Sequence, residues 1–287
     1  MRAITFIMDA RLLDETGHHH LPDALRTLGH TVHLDAYQDP RAGTPAFIDT
    51  HGECTVLYGS IEFVEQRMDA GIYSPGAYYS RESYRCTYYL PTLPNGLVGN
   101  GRGVYLTFSD FVRRRDQLYR LFGVSRLFIR PDSGAKVFTG LCVTPENDAF
   151  ELRSLMKLTQ VTDETLILVA PAAEISAEYR FYIVEGKVIT GSRYMINGKP
   201  DKSPETDPQC LAVAELVANL PWQIDLAYTC DVGLFDGIAK IVELNAFSTS
   251  GLYDCDSVAL FTAMAETALR ECDGEASLMA KPLVAID

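Results

Sequence analysis

Apolar positions in the first hundred residues switch between two periods. Residues 3–8 form a short extended run, Leu21–Leu28 repeats its apolar side chains at helical spacing and stops at Gly29, and Thr31–Leu34 begins a second extended run. Thr55–Tyr58 predicts a third strand, which enters Gly59-Ser60, where the serine hydroxyl can cap a helix running through Arg67. The stretch Leu90–Gly103, rich in Pro, Gly and Asn, is the candidate boundary of this first segment.

Beyond it, residues 110–122 predict a helix capped by Ser109 or Asp110, with Phe111, Leu118 and Phe122 on one face and Gly123 as its stop. Leu127–Ile129 and Lys136–Thr139 read as a hairpin, Phe150–Leu158 as a helix and Thr165–Val169 as a strand. Tyr179–Val184, Lys187–Tyr194, Gln223–Leu234 and Ile238–Leu244 read as further strands, the last two joined through the hairpin signal Asp236-Gly237. Helices are expected at Gln209–Asn219 and Val258–Glu271. The fold class is therefore α/β followed by α+β: a Rossmann-like first segment with a parallel sheet, then antiparallel sheets. No G-x-G-x-x-G follows the first strand, so the dinucleotide fingerprint is missing.

At 287 residues the chain has room for two or three segments, and 47% apolar with 22% charged residues excludes a disordered or fibrous chain. A net charge of −13 argues against a nucleic-acid or anionic-membrane surface covering the molecule, while leaving room for a local basic pocket. Seven dispersed cysteines with no C-x-x-C pair suggest neither a disulfide framework nor a zinc site, and point to a reducing cytoplasm. The apolar start at Met1–Asp9 is too short for a secretory signal, and no run is long enough to span a membrane. The cations are unevenly placed: every lysine lies at or after Lys136, whereas most arginines lie at or before Arg130.

Three segments carry candidate chemistry. In Asp231–Asn245, a strand holding Asp231, a tight turn, and a returning strand holding Glu243 and Asn245 would gather three oxygen side chains; residues 243 and 245 share a face because they are two apart. Hard oxygen donors of this kind suit Mg²⁺, although exposed acids beside Asp-Gly hairpins are also common. In Phe128–Gly140, Arg130 ends a strand, a small-residue turn follows, and Lys136 comes next, an arrangement able to cradle phosphate or to be only a glycine turn. In Leu166–Arg180, an apolar strand ends at Pro171 and offers Glu174 and Glu178, able to stack an adenine and accept ribose hydroxyls. The run His18-His19-His20, the loop Gly99–Gly103, Arg113-Arg114-Arg115 and Cys230 read more simply as surface, linker, solvated helix face and core, while Ser248–Gly251 could line an acceptor pocket or be only a loop.

Taken in order, these segments resemble the ATP-grasp superfamily of carboxylate–amine ligases. Arg130-Pro131, Lys136–Gly140, Glu178-Tyr179-Arg180 and Glu243-Leu244-Asn245 leading to Ser248–Tyr253 look closest to its R2K clade. The resemblance implies a pre-ATP-grasp domain over 1–104, a small lobe over 105–172 and a large lobe with the metal site over 173–287. It implies an ADP-forming, ATP-dependent ligase that makes an amide or peptide bond through an acylphosphate. Asp231, Glu243 and Asn245 would hold Mg²⁺, Arg130, Lys136, Glu174 and Glu178 would bind ATP, and Arg180 with Arg193 would face the transferring phosphate. The implied partners are small carboxylate and amine substrates, an amino acid or peptide, with neither nucleic acid nor membrane, and a homodimer left open. Two departures stand out: no lysine precedes Lys136, so Arg113, Arg114 or Arg115 would have to replace an upstream phosphate lysine, or nothing does, and Thr229 stands two residues before Asp231 where such ligases have an arginine, a charge for which Arg193 is the candidate. The alternatives are an ATP-grasp phosphotransferase and a non-catalytic nucleotide-binding module.

Overall fold

The computed structural model describes residues 2–278; Met1 and residues 279–287, the outer ends of the first and last expected segments, lie outside them. The chain opens with β1 (Thr5–Asp9), α1 (Ala10–Thr16), α2 (Leu21–Thr27), β2 (Thr31–Asp35), β3 (Cys54–Tyr58), α3 (Ile61–Ala70) and β4 (Ser74–Gly76). The four strands form one parallel sheet in the order β2-β1-β3-β4. All five residues of β1 are buried, as expected for a central strand covered on both faces. Helix α1 goes beyond the sequence reading: Asp9 ends β1 and turns its carboxylate back onto the amides of Arg11 and Leu12 at 3.1 and 3.4 Å, so helix follows strand without a loop. Ser60 caps α3 by accepting from the Phe63 amide at 3.3 Å.

After the short α4 (Cys86–Tyr89) come β5 (Val104–Thr107), α5 (Phe108–Phe122), β6 (Leu127–Pro131), β7 (Leu141–Val143), α6 (Asp148–Leu158) and β8 (Leu166–Pro171). Their strands make an antiparallel sheet in the order β5-β8-β6-β7. Two expectations are corrected here. The cap of α5 is Thr107, whose extended backbone lets its hydroxyl accept from the Asp110 amide at 3.2 Å, so Ser109 and Asp110 already lie inside the helix. The partner of Leu127–Ile129 is Leu141–Val143, because Lys136 takes a left-handed φ of +49° and residues 132–140 leave the sheet as a turn.

The third sheet is built from β9 (Ile175–Val184), β10 (Lys187–Ile196), β11 (Lys199–Ser203), β12 (Ala227–Phe235) and β13 (Ile238–Ala246), antiparallel in the order β11-β10-β9-β12-β13. Helix α7 (Pro208–Ala218) covers one face of it, and α8 (Ser257–Cys272) packs between this sheet and the first. Strand β12 starts at Ala227, later than the predicted Gln223, because residues 223–226 spend their polar groups on the end of α7 and on a local turn. The stretch expected to be a linker adds to the sheet edge: the Gly99 amide donates to the Ile241 carbonyl at 2.9 Å, and the Ile241 amide donates to the Leu97 carbonyl at 2.6 Å.

The cores ignore the order of the chain. One joins Ile7, Leu57 and Phe63 to Phe181, Tyr228 and Ile241; another joins Phe6, Val56 and Tyr58 to Tyr182, Phe247 and Phe261. Among the described residues, only the second sheet keeps a core of its own, around Phe111, Leu127, Ile129 and Val169. Phe247 is fully buried, with ring centroids 5.8 Å from Tyr58, 6.2 Å from Tyr78 and 5.4 Å from Phe261. Phe247→Ala should cost about 3–5 kcal/mol, and chemical denaturation followed by tryptophan and far-ultraviolet signals should lose stability in one shared transition; an unchanged midpoint would refute the shared core. Asp225, just before β12, gives a pH prediction. Burial and the nearby Glu271 push its carboxyl up to about 7, against the opposing pull of the Leu226 amide. A carboxyl raised in the folded state contributes stability that is complete below the ordinary carboxylate range and is lost as pH climbs to about 7. Asp225→Asn should therefore match the parent near pH 4 and exceed it at pH 8 by on the order of 1–3 kcal/mol, which urea titrations at the two pH values can check.

Candidate active site

Register on the third sheet assembles the site. Asp231 lies opposite Glu243, Thr229 opposite Asn245, and Arg180 on the neighbouring β9 opposite Asp231. A bulge breaks the β12–β13 ladder between Asp231 and Val232, where Val232 pairs with Ile241 and Val242 is the extra residue. One added residue reverses which face each later side chain takes. As a result Ile241 enters the core while Glu243 and Val242 face a cleft. Cys230, one residue before Asp231, points the other way into the core.

The oxygen donors are locked by mutual contacts. Arg180 grips Asp231 with both arms, Nε to Oδ1 at 2.8 Å and Nη2 to Oδ2 at 2.7 Å. Asn245 Nδ2 donates to Glu243 Oε1 at 2.9 Å and to Asp231 Oδ2 at 3.3 Å. From the second sheet, Arg130 Nη2 reaches Glu243 Oε2 at 2.7 Å, and Lys136 Nζ stands 3.6 Å from Oε1. Burial alone would raise the Glu243 carboxyl, but Lys136, Arg130 and the Asn245 hydrogen bond outweigh it and hold the carboxyl well below the usual range. At Asp231, burial pushes the carboxyl up and the bidentate Arg180 contact pulls it down.

Sequence reasoning missed two aromatic residues. Tyr194 and Tyr253 stack with centroids 4.8 Å apart and 11° between planes, and the Arg180 guanidinium lies 5.0 Å from the Tyr253 ring and 5.8 Å from the Tyr194 ring. Tyr194 also donates its hydroxyl to Glu178 Oε2 at 2.7 Å, and burial raises the Glu178 carboxyl. A second bulge, between Arg193 and Met195, aims Tyr194 at Glu178. For Tyr194 the only local signal was the Glu178-Tyr179-Arg180 strand opposite; for Tyr253, held at φ +52°, it was its place at the end of the Ser248–Tyr253 segment, which assigned it no contact.

The same register corrects the expectation for Arg193. It pairs with Tyr179, which faces the core under α7, and so leaves the sheet on the side away from Arg180. Its guanidinium binds Asp201 at 2.7 Å and Glu205 at 3.4 Å, and does not reach the Asp231 cluster. The cation that meets Asp231 comes from across the sheet, Arg180 on β9. Arg113 and Arg114 are exposed on α5 and Arg115 pairs with Asp148 at 2.8 Å, so none of the three replaces an upstream lysine in the cleft. Glu174 lies at the far end of the cleft in an ion pair with Arg126.

A cleft of about 620 Å³ runs between the second and third sheets, with Arg130, Lys136 and Glu243 at one end and Phe128, Glu174 and Asn197 along its walls. The turn carrying Lys136 is anchored from outside. Asp132 accepts from the Thr87 amide and hydroxyl at 2.8 and 2.7 Å and from Arg85 at 3.2 Å. Gly134 approaches so closely that a Cβ there would stand 2.7 Å from the Arg81 carbonyl oxygen. No cluster of three or more His, Cys, Asp or Glu is placed to hold a metal ion among the described residues. The set here is two carboxylates and one amide on one face, which fits a hard cation that completes its shell with water and phosphate oxygens.

The chain belongs to the family described as the ATP-grasp domain, R2K clade family 3, whose model matches residues 81–264. Solved structures share the fold. A D-cycloserine synthetase superposes with a TM-score of 0.60 at 14% identity, covering 93% of this chain and all (100%) of that one. D-alanine–D-alanine ligase from Bacillus anthracis complexed with ATP gives 0.59 at 14% identity over 96% and 100%. A macrocyclase from Microcystis aeruginosa bound with its precursor peptide gives 0.56 at 12% identity over 94% and 100%. No curated protein matches the chain by sequence. No helix among the described residues is long and apolar enough to cross a membrane.

Removing one member of the buried pair isolates its weight. Arg180→Met should destabilise the fold by about 3–5 kcal/mol, because Asp231 is left buried without its partner. Adding Asp231→Asn should recover part of that loss. Equal stability of Arg180→Met and the parent in urea would show that Asp231 is not held as an ion.

Proposed function

We propose that the protein is an ATP-dependent, ADP-forming carboxylate–amine ligase that makes an amide or peptide bond between small substrates, an amino acid or peptide among them. The observation that carries this reading is the convergence of Arg130 and Lys136 on Glu243 at one end of the 620 Å³ cleft, with Asn245 linking Glu243 to the adjacent Arg180–Asp231 pair. A carboxylate is a poor electrophile, and phosphorylation by ATP gives an acylphosphate that an amine displaces. Such transfer demands positioning and charge neutralisation more than a covalent nucleophile. Arg130 and Lys136 hold the phosphate chain, Glu178 the ribose and Glu174 the base end. Arg180, braced by Tyr194 and Tyr253, neutralises charge building on the transferring phosphoryl group. Asp231, Glu243 and Asn245 would hold Mg²⁺, which when bound offsets the charge of the nucleotide phosphates.

In this reading residues 1–104 are a Rossmann-like pre-ATP-grasp domain, 105–172 the small lobe and 173–287 the large lobe, and the protein works in the cytoplasm. The acceptor enters through a second cleft of about 580 Å³ between α3 and the Lys136 turn, which shares Ser133 and Lys136 with the first. Its walls carry both signs, among them Glu62, Arg81 and Arg85, as suits a zwitterionic amino acid or peptide end.

Glu243→Ala should keep the circular dichroism of the parent yet lose about 10²–10³-fold in ADP formation. The assay is ADP, AMP and phosphate release with a panel of amino acids and peptides; parent-like turnover in the variant would sink the assignment. The absence of a cation from α5 in the cleft favours a second reading, a nucleotide-binding module without turnover. ATP binding with no ADP formed for any acceptor would select it, and ADP formed together with a stable phosphorylated product would select a phosphotransferase.

A further inference from the structure

Two of the seven cysteines, scattered in sequence, meet at one point of the fold. Cys54 opens β3 and Cys272 ends α8, 218 positions apart, yet their Sγ atoms stand 2.6 Å from each other. The contact follows from how the last helix packs. Ala268 and Cys272 lie one helical turn apart on the α8 face that meets β3 and β4. The Cys54 thiol donates to the Ala268 carbonyl at 3.2 Å, and the Cys272 thiol lies 3.6 Å from the Ser74 carbonyl on β4, the register partner of Cys54. The remaining cysteines, Cys86, Cys142, Cys210, Cys230 and Cys255, show no sulfur–sulfur contact among the described residues.

Exposure separates the two thiols by role. Cys272 is exposed and Cys54 only partly so. Arg2, bonded to Asp273 at 2.9 Å, lies within coulombic reach of both sulfurs. Burial raises the Cys54 thiol, and the more exposed Cys272 is the sulfur that peroxide reaches first.

We propose that Cys54 and Cys272 form a modification site at which hydrogen peroxide closes an intramolecular disulfide, tying the first parallel sheet to the last helix. The Cys272 thiolate attacks one peroxide oxygen; the O–O bond breaks, giving a sulfenic acid and hydroxide, which takes up the thiol proton as water. The Cys54 sulfur then attacks the Cys272 sulfur, the S–O bond breaks, and hydroxide leaves as water with the Cys54 proton. Two thiols and one peroxide become one disulfide and two waters: sulfur is oxidised, peroxide oxygen is reduced, and a thiol reductant reverses the change. Because the bond would close a loop spanning most of the chain, it restricts the unfolded state strongly.

The test treats the purified chain with equimolar hydrogen peroxide, then counts free thiols in denaturant and maps peptides without reduction. The expected result is a monomer that loses two of its seven thiols, yields one Cys54–Cys272 cross-linked peptide, and melts several degrees higher until dithiothreitol reverses the shift. Cys272→Ser, at an exposed position, should keep the parent's melting temperature under reducing conditions and lose both the cross-link and the oxidative shift. Oxidation to sulfinic acid at Cys272 without a cross-link, a disulfide involving any other cysteine, or a covalent dimer would overturn the proposal.

Discussion

Two carboxylates on one sheet face, one buried and one half-buried at a cleft, set the terms for the rest of the molecule. Asp231 is 1% exposed and Glu243 is half-buried at the cleft, so each ion must be matched by a cation and hydrogen bonds or be too costly to keep. The matching cations come from different places: Arg180 from the adjacent strand, Arg130 from the second sheet and Lys136 from the turn that leaves it. The need to neutralise Glu243 therefore brings two independently hydrogen-bonded sheets together along the cleft. The same charges that satisfy the carboxylates are those a polyphosphate would engage, so the requirement of the fold and that of the proposed chemistry coincide.

Support for this cluster spreads outward through neutral contacts. Tyr58, from the first sheet, donates to the Ser250 carbonyl at 2.6 Å, Tyr182 donates to the Gly251 carbonyl at 2.6 Å, and the Gly59 amide donates to the Ser248 carbonyl at 2.9 Å. These bonds fix the loop that carries Tyr253 over Arg180. On the other side, Asp132 and the close approach of Gly134 fasten the Lys136 turn to residues 80–87. Both loops over the cleft are thus held by parts of the chain distant in sequence, which is why the first segment shares its cores with the third sheet.

Much of this was legible in the residues. Alternating strand and helix signals placed β1, α2, β2, β3 and α3, and strict spacing put Glu243 and Asn245 on one face. The misreadings have specific causes. The hairpin after Ile129 was drawn too short because the positive φ of Lys136 is a backbone property without a side-chain signature. Arg193 was put forward as the cation beside Asp231, but β10 pairs it with Tyr179 and places Ser192 opposite Arg180, and strand register leaves little trace in a pattern of apolar and polar positions. Tyr194 and Tyr253 were missed because stacking between a strand and a distant loop has no period in sequence.

The sequence by itself determined the element types, the antiparallel return of β13 on β12 through Asp236-Gly237, and the short list of oxygen and cationic side chains, because these depend on local geometry and chemical type. Only the tertiary structure decided which cation meets which carboxylate. Bulges set facing, loops set reach, and burial turns proximity into strong electrostatic coupling, so the choice of Arg180 over Arg193, and the meeting of Cys54 with Cys272, followed from chain packing at long range.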